Sequence, residues 1–323
     1  MTARENALRI LRFDQPERIV GGLPTHDISY FGANHENWEG LGDDQPVGSW
    51  WRDIWDVGWH KEYPGVMGFP KQNPLAEPGA LARYRWPDPD DERISGRIRQ
   101  LAAAERDPDT FLCGSHRDTL WERAYMLVGM ENMMAYFYTE PEFAREVLHR
   151  IMDFQLGIAR HYLAAGVETV FCSDDLGTQR ALLLSPRIIA EFLLPEYRRL
   201  FTLYREQGVI INFHSCGHIE PLIETFVALG IDCLNPVQRT ANDLERIVAL
   251  ANGRLALQGG VNNARILEGP VAAIRQEVRE AIRIAGRRGG YFCAPDQGMP
   301  FPPEHLAAFA EAVDEFGAYP LAE

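Results

Sequence analysis

The sequence contains few cysteines and no long apolar run, and both shortages exclude classes of protein. Its 5 cysteines in 323 residues are too few, and odd in number, for the disulfide framework of a small secreted domain. No run of about 18 apolar residues offers a membrane span, and no apolar signal segment follows Met1. We therefore expect reduced thiols in a soluble, cytoplasmic protein that does not enter a membrane.

Positive charge is also scarce, with 32 Lys and Arg against 46 Asp and Glu and a formal net charge of −14. A surface this acidic repels phosphate backbones and no basic run offsets it, so nucleic-acid binding is not expected. Hydrophobic residues make up 46% and charged residues 24% of the chain, which is ordinary for a globular protein with a large core.

From about residue 110 onward, short apolar runs alternate with longer stretches of helical periodicity. The predicted strands are 110–113, 168–172, 209–213, 232–235, 254–258 and 290–293, with another at 18–23. The predicted helices are 119–136, 141–165, 186–207, 219–229, 241–252, 270–287 and 303–316. Uninterrupted βα repetition favours a parallel sheet, and seven or eight strands favour a single (β/α)8 TIM barrel over an open sheet. We expect residues 1–323 to form this one domain.

Residues 25–95 differ in character from the rest of the chain. They contain six of the seven tryptophans, which are Trp38, Trp50, Trp51, Trp55, Trp59 and Trp86. This stretch is rich in Pro, Gly and Asp and has no clear periodicity, which predicts a long irregular insertion. Long structured loops in compact domains are usually lids or binding walls. Trp55 and its neighbours either stack on a flat substrate or close the top of the barrel.

Polar clusters follow five consecutive predicted strands, at 173–175, 214–216, 235–238, 258–263 and 293–297. In a parallel barrel the carboxyl ends of the strands form the working face, so these clusters mark the predicted site. Gln179, Gln238 and Asn262 are the candidates for binding a substrate, although buried glutamine is more often structural.

His214 and Cys216 lie two residues apart where a strand ends, so both side chains point to one side of the extended chain. Cys293 ends the last predicted strand, which lies across the mouth of a closed barrel. One His and two Cys suit Zn²⁺ and leave a fourth position open for catalysis. The alternative is that His214 is only hydrogen-bonded and Cys293 is a small buried apolar residue.

Asp174 and Asp175 follow the predicted strand 168–172 directly. Adjacent residues of an extended chain face opposite ways, so at most one of these carboxylates points into the mouth. That one is a candidate general acid or base, or an anchor for a cationic substrate group. The alternative is a helix-capping Asp beside a solvated neighbour.

Several strings together resemble the uroporphyrinogen decarboxylase superfamily, which implies a single (β/α)8 barrel. They include DDLGTQ at 174–179, HSCGHIEPLIETFVALGIDCLNPVQ at 214–238, LQGGVNN at 257–263 and GGYFCAPDQGMPFPPEHL at 289–306. One branch, the housekeeping decarboxylases, works without a cofactor and uses an Asp and arginines, the latter in an R-Q-A-G-R-Y-type string. This chain has no such string and reads GGLPTHDISYFGANHENW at 21–38.

The second branch comprises cobamide-dependent methyltransferases of the methylcobamide:coenzyme M type, which carry zinc in an H-x-C … C pattern. The resemblance places the first two ligands at His214 and Cys216. In that branch the last Cys follows an Ala-Pro pair, where this sequence reads Asp-Gln, whereas Cys293 precedes the pair. The third ligand is therefore Cys293 or, alternatively, Gln297 or a carboxylate such as Asp174.

The leading hypothesis is a zinc-dependent methyltransferase that moves a methyl group between a corrinoid and a small substrate or thiol acceptor. Asp174 or Asp175 would position or deprotonate the substrate. The resemblance implies a methylcobamide co-substrate on a partner corrinoid protein and is compatible with a homodimer. The alternatives are a metal-free decarboxylase acting on a tetrapyrrole or a smaller carboxylate, and a catalytically degenerate barrel subunit that binds a corrinoid protein.

Overall fold

The structure is a computed structural model that describes residues 1–321. Its strands are β1 Thr25–Ile28, β2 Trp50–Arg52, β3 Gly58–His60, β4 Phe69–Gln72, β5 Phe111–His116, β6 Thr169–Ser173, β7 Ile210–His214, β8 Cys233–Val237, β9 Ala256–Val261 and β10 Tyr291–Pro295. Its α-helices are α1 Ala3–Leu11, α2 Glu92–Ala102, α3 Trp121–Val128, α4 Met130–Thr139, α5 Pro141–Ala164, α6 Pro186–Ile188, α7 Leu194–Glu206, α8 Ile223–Leu229, α9 Leu244–Ala251, α10 Asn263–Glu268, α11 Val271–Ala285 and α12 Pro303–Phe316. A π-helical turn, Ile189–Leu193, joins α6 to α7, and 3₁₀ turns lie at Pro78–Arg83 and Glu220–Leu222. Within this part of the chain no helix is long and apolar enough to cross a membrane.

Seven parallel strands form the central sheet of residues 1–321, in the order β1-β5-β6-β7-β8-β9-β10. From β5 onward the strands follow one another in sequence order, with helices between them. This arrangement confirms the predicted α/β fold of the barrel type, in which the strands curl around a common interior and the helices pack outside. All six strands predicted after residue 110 are present, although most of them extend further than the sequence pattern indicated.

The strand predicted at 18–23 does not form, and the first strand of the sheet lies at Thr25–Ile28 instead. Gly21 and Gly22 have no side chains to pack on a sheet and Pro24 has no N–H group to donate to a ladder, which explains the shift. The segment still touches the end of the sheet, because the Val20 carbonyl accepts a hydrogen bond from the Cys293 N–H group at 2.9 Å.

Helix starts follow the capping signals in the sequence. The helix α5 begins at Pro141, and α6 begins at Pro186 after Ser185, whose hydroxyl accepts the N–H group of Ile188 at 3.3 Å. Proline is favoured in the first turn because its missing N–H group would have no helical partner there. The sequence signals therefore locate the first residues of these two helices.

Inward side chains change from apolar at the bottom of the barrel to polar near the mouth. Successive residues of a strand point to opposite faces, so every second residue faces the interior. The bottom is an apolar floor made by Ala7, Ile10, Phe111, Cys233, Ala256 and Phe292. Above the floor, Asn212 and His214 of β7 and Asn235 of β8 share the inner face, since His214 is paired with Asn235 in the sheet. The barrel interior is therefore polar on the side of the predicted site.

Residues 25–95 are more regular than predicted. They contain β1, the antiparallel sheet β2-β3-β4 and the 3₁₀ turn Pro78–Arg83, and α2 begins near their end. Trp51, Trp55 and Trp59 are buried, and their rings belong to the same hydrophobic core as the barrel strands and helices. A role of this segment as a lid stays a prediction.

A buried ion-pair network joins this segment to the barrel. The Arg123 guanidinium of α3 donates to Asp53 of the segment and to Asp118, which follows β5, both at 3.0 Å. None of these three side chains is more than 4% exposed. His35 extends the network, with its Nε2 atom 2.7 Å from Asp118. Matched buried charges therefore help to hold the segment against the barrel.

Candidate metal centre

Asp175, His214 and Cys216 come together just beyond the carboxyl ends of β6 and β7. One potential ligand atom from each side chain lies within 4.8 Å of the other two. The His214 Nε2 atom is 3.3 Å from the Cys216 Sγ atom and 3.6 Å from the Asp175 Oδ1 atom. All three residues are partly buried, as a site that admits a small ligand requires.

His214 is oriented by its neighbour in the sheet. Its Nδ1 atom lies 2.8 Å from the Oδ1 atom of Asn235 on β8. Because an amide oxygen accepts a proton from Nδ1, the Nε2 atom carries the lone pair and faces Cys216 and Asp175. The Phe171 ring lies beside the imidazole, with ring centroids 5.8 Å apart. The histidine is thus held in the tautomer that a metal ligand needs.

Cys216 occupies a tight turn after β7. Gly217 has a φ of +81°, and a Cβ atom there would collide with the carbonyl oxygen of Gly177, so only glycine fits. The Cys216 N–H group donates to Asp175 Oδ1 at 2.8 Å, and the amide nitrogen of Gln297 contacts Sγ. Burial and the Asp175 carboxylate raise the pKa of the Cys216 thiol well above its ordinary value. The turn therefore places the thiol beside a carboxylate, where a bound cation would favour the thiolate form.

The donor atoms of this cluster fit Zn²⁺. Zinc takes thiolate sulfur, imidazole nitrogen and carboxylate oxygen, and catalytic zinc sites have three protein ligands and one open position. Two ligands at about 2.0–2.3 Å from one tetrahedral ion lie roughly 3.3–3.7 Å apart. The separations of 3.3 and 3.6 Å from His214 Nε2 match that range.

The two adjacent carboxylates after β6 point in opposite directions. Asp175 faces the cluster, whereas Asp174 is fully buried. Asp174 accepts the main-chain N–H groups of Leu120 and Glu122, both at 2.8 Å, and the Tyr197 hydroxyl at 2.7 Å. Burial raises the pKa of Asp174 to about 7, and these three donors oppose that shift. Asp174 therefore lies outside the cluster and accepts the first N–H groups of α3, and its catalytic role stays a prediction.

Cys293 does not join the cluster. The strand β10 spans Tyr291–Pro295, so Cys293 lies in its middle, paired with Gly259 of β9. Phe292 points into the barrel floor, and the next side chain therefore points outward into the apolar layer beneath the helices. The prediction of Cys293 as third ligand needs correction, because Asp175 holds that place in the cluster.

The other predicted binding residues support the site or lie away from it. Gln238 accepts the Gly217 N–H group at 3.0 Å, and its amide nitrogen is 3.3 Å from the Gln179 Oε1 atom. These two glutamines therefore brace the turn that carries Cys216. Asn262 caps α10 through its side-chain oxygen. Trp55 is fully buried, which contradicts its predicted role as a surface for a substrate.

Asn235 lies in one of the predicted polar clusters, but its contact with His214 and the polar residues Thr169 and Asn212 inside the barrel were not predicted. The signal was present as alternation within strands. The sequence of β7 reads IINFH, which places Asn212 and His214 on one face and apolar residues on the other. Thr169 of β6 and Gln258 of β9 occupy equivalent inward positions.

A family model described as uroporphyrinogen decarboxylase (URO-D) matches residues 68–316, which include the whole cluster. The chain belongs to the uroporphyrinogen decarboxylase family. This confirms the resemblance carried by the sequence strings. Membership of the uroporphyrinogen decarboxylase family does not by itself distinguish decarboxylation from methyl transfer.

Curated relatives carry the names of both reactions. A methylated-thiol–coenzyme M methyltransferase of Methanosarcina mazei is 29% identical over 198 residues, which are 58% of this chain and 49% of that protein. A uroporphyrinogen decarboxylase of Carboxydothermus hydrogenoformans is 26% identical over 181 residues, which are 55% of this chain and 49% of that protein. The chain spans about half the length of the curated relatives it matches.

A solved structure described as a methyltransferase from Methanosarcina mazei is similar to nearly the whole chain. The TM-score is 0.69 at 17% identity, and the similarity covers 98% of this chain and 99% of that one. At this identity the similarity establishes the fold. This uroporphyrinogen decarboxylase family protein is therefore similar in sequence to a named methyltransferase and to named decarboxylases, and it shares its fold with the solved methyltransferase.

Proposed function

We propose that the protein is a zinc-dependent methyltransferase that moves a methyl group between a corrinoid and a small acceptor or donor. The observation that carries this proposal is the cluster of Asp175, His214 and Cys216 at the mouth of the barrel. Among the relatives, the Methanosarcina mazei protein, which is named a methylated-thiol–coenzyme M methyltransferase, supports the proposal. We infer that the corrinoid is supplied by a separate protein, as the resemblance implies.

The residues of the chain have distinct tasks in this proposal. When bound, zinc would hold the nucleophilic atom of the acceptor in its deprotonated form at neutral pH. Asp175, His214 and Cys216 would hold the ion. Asn235 keeps the His214 imidazole turned toward the cluster, and Gln238 braces the turn that carries Cys216. In-line transfer of a methyl group requires such a fixed, deprotonated nucleophile.

The interior of the barrel favours this proposal over decarboxylation of a porphyrinogen. A substrate with many carboxylates needs several cationic side chains to bind it. The cavity below the cluster is lined, within residues 1–321, by one carboxylate and no Lys or Arg. The chain also lacks the arginine-containing string of the housekeeping decarboxylases.

The proposal is tested with full-length, zinc-loaded protein. Methylcobalamin carrying a deuterated methyl group is incubated with two-carbon thiols, and the methylated thiol is detected by mass spectrometry. A parallel reaction supplies uroporphyrinogen, with chromatography of the products. Zinc-dependent appearance of labelled thioether is the expected result. Decarboxylated porphyrinogen without thioether would overturn the proposal, as would tight binding of a corrinoid protein with neither product.

The orientation of His214 by Asn235 gives a prediction for metal affinity. Replacing Asn235 with alanine removes the acceptor of the Nδ1–H group and frees the ring to rotate. Loss of such an outer partner typically lowers metal affinity about 10- to 100-fold, and we expect that loss here. The measurement is competition with a chromophoric zinc chelator. Asn235→Asp, which retains an acceptor, should restore affinity, and equal weakening by both substitutions would contradict this role.

A further inference from the structure

A polar cavity of about 360 Å³ lies inside the barrel, between the apolar floor and the cluster. It is bounded by six strands of the central sheet and by the segment that precedes β1. Its lining consists of Gly22, Leu23, Thr25, Asp27, Cys113, Ser115, Thr169, Phe171, Asn212, Asn235 and Gln258. Barrel interiors are usually filled by Val, Ile and Leu. Here hydroxyl, amide and carboxylate groups take their place.

Two of these polar groups are left without protein partners. The Thr169 Oγ1 and Asn212 Oδ1 atoms are buried and have no hydrogen-bond partner within residues 1–321. Buried polar atoms are nearly always paired, because an unpaired one forfeits its hydrogen bond to water without replacing it. Both atoms belong to neighbouring strands and to one cavity. They are available to a polar ligand.

The charges around the cavity favour a cation over an anion. Asp27 is the one charged side chain in the lining described above, and it is exposed to the cavity opening. An anionic group placed here would meet this carboxylate and no compensating Lys or Arg. A cationic group would be attracted by the carboxylate, by the amide oxygens and by the face of the Phe171 ring. The net charge of −14 acts in the same direction.

Two side chains that line the cavity, Asn235 and Phe171, also contact His214 of the cluster. Asn235 lines the cavity, and its Oδ1 atom is the partner of His214 Nδ1. Phe171, another lining residue, packs beside the same imidazole. A small molecule seated in the cavity therefore lies against Asn235 and Phe171, the two side chains that contact the His214 imidazole of the cluster.

We propose that the barrel interior binds an ammonium group of a small substrate, amine or methylated amine, whose other end reaches the cluster. The role of the substrate end that reaches the cluster rests on the proposed methyl transfer. The binding of the ammonium end rests on the cavity alone. An ammonium site would distinguish this chain from a coenzyme M methyltransferase, because coenzyme M carries an anionic sulfonate. Asp27 is the specificity-determining residue in this proposal.

Three two-carbon thiols that differ only in the charge of the tail test the proposal. They are 2-aminoethanethiol, 2-sulfanylethanol and 2-sulfanylethanesulfonate, which are cationic, neutral and anionic. Their binding is measured by calorimetry at near-physiological salt, with zinc-loaded and with chelator-treated protein. We expect the cationic thiol to bind at least tenfold more tightly than the anionic one in both forms. Equal binding, tighter binding of the anion, or no saturable binding of any thiol would overturn the proposal.

Substitutions test whether Asp27 causes the preference for the cationic thiol. Asp27→Asn should bring the ratio of cation to anion affinity close to one, while Asp14→Asn, an exposed carboxylate outside the cavity, should leave it unchanged. Thr169→Val replaces an unpaired hydroxyl with a methyl group of similar size. It should weaken binding of the cationic thiol severalfold while raising the melting temperature. A preference that survives Asp27→Asn would overturn the proposal.

Failure of the two proposals can be told apart. A cation preference that disappears in Asp27→Asn, together with no methyl transfer to any thiol, supports the cavity assignment and contradicts the methyltransferase. Methyl transfer with the sulfonate as the best acceptor contradicts the cavity assignment alone. In that outcome the substrate tail lies outside the barrel interior.

Discussion

Replacement of Cys216 with serine should remove both bound zinc and methyl transfer. Serine keeps the shape of the turn, but its hydroxyl stays protonated at neutral pH and is a poor zinc ligand. Since loss of an outer partner alone lowers metal affinity about 10- to 100-fold, loss of the thiolate should lower it by more than about 100-fold. The measurement is the zinc content of purified protein by plasma mass spectrometry, beside the methyl-transfer rate.

Cys293→Ala is the matched control for this experiment. Cys293 is fully buried on the outer face of β10, away from the cluster. Its loss should lower the free energy of unfolding modestly and leave zinc content near that of the wild type. Zinc retained in Cys216→Ser but lost in Cys293→Ala would contradict the ligand set of Asp175, His214 and Cys216.

Arg123→Met is expected to produce a large loss of stability. The substitution leaves Asp53 and Asp118 buried without the cation that both contact at 3.0 Å. Removing one partner of a buried ion pair typically costs about 3–5 kcal/mol, because an uncompensated charge remains. We expect the free energy of unfolding to fall by an amount of this order. Urea denaturation followed by tryptophan fluorescence measures it and also reports the tryptophan-rich segment.

Arg52→Met provides the comparison for the buried network. Arg52 pairs with Asp56 at 3.1 Å, but these side chains are 52% and 63% exposed. Exposed pairs contribute about 0–1 kcal/mol, so this variant should stay close to the wild type. Similar losses in both variants would show that the network around Arg123 does not anchor residues 25–95 to the barrel.

The fold could be predicted because its repeating unit is visible in the sequence. Apolar runs of strand length alternate with amphipathic stretches after residue 110, and capping residues such as Ser185 mark helix starts. The first strand lies at Thr25–Ile28 and not at the predicted 18–23, because the predicted stretch contains two glycines, which do not favour a strand. The sheet β2-β3-β4 was missed because strands of three or four residues are too short to show a period.

The site was predictable in outline, but the direction of single side chains was not. His214 and Cys216 follow one strand and share its inner side, so their spacing was informative. Cys293 was misplaced because β10 runs two residues beyond the predicted end, to Pro295, and adjacent residues of a strand face opposite sides. The same alternation assigned only one of Asp174 and Asp175 to the mouth. Choosing between them required the position of α3, whose start Asp174 caps.

The central claim, that one aspartate, one histidine and one cysteine bind a single zinc ion, is tested most directly by X-ray absorption at the zinc edge. The zinc-loaded protein, without added thiol, should show one sulfur ligand at about 2.3 Å and only nitrogen or oxygen ligands besides. In Cys216→Ser, any residual zinc should show no sulfur. Two sulfur ligands in the wild type, or a sulfur that persists in Cys216→Ser, would contradict the account.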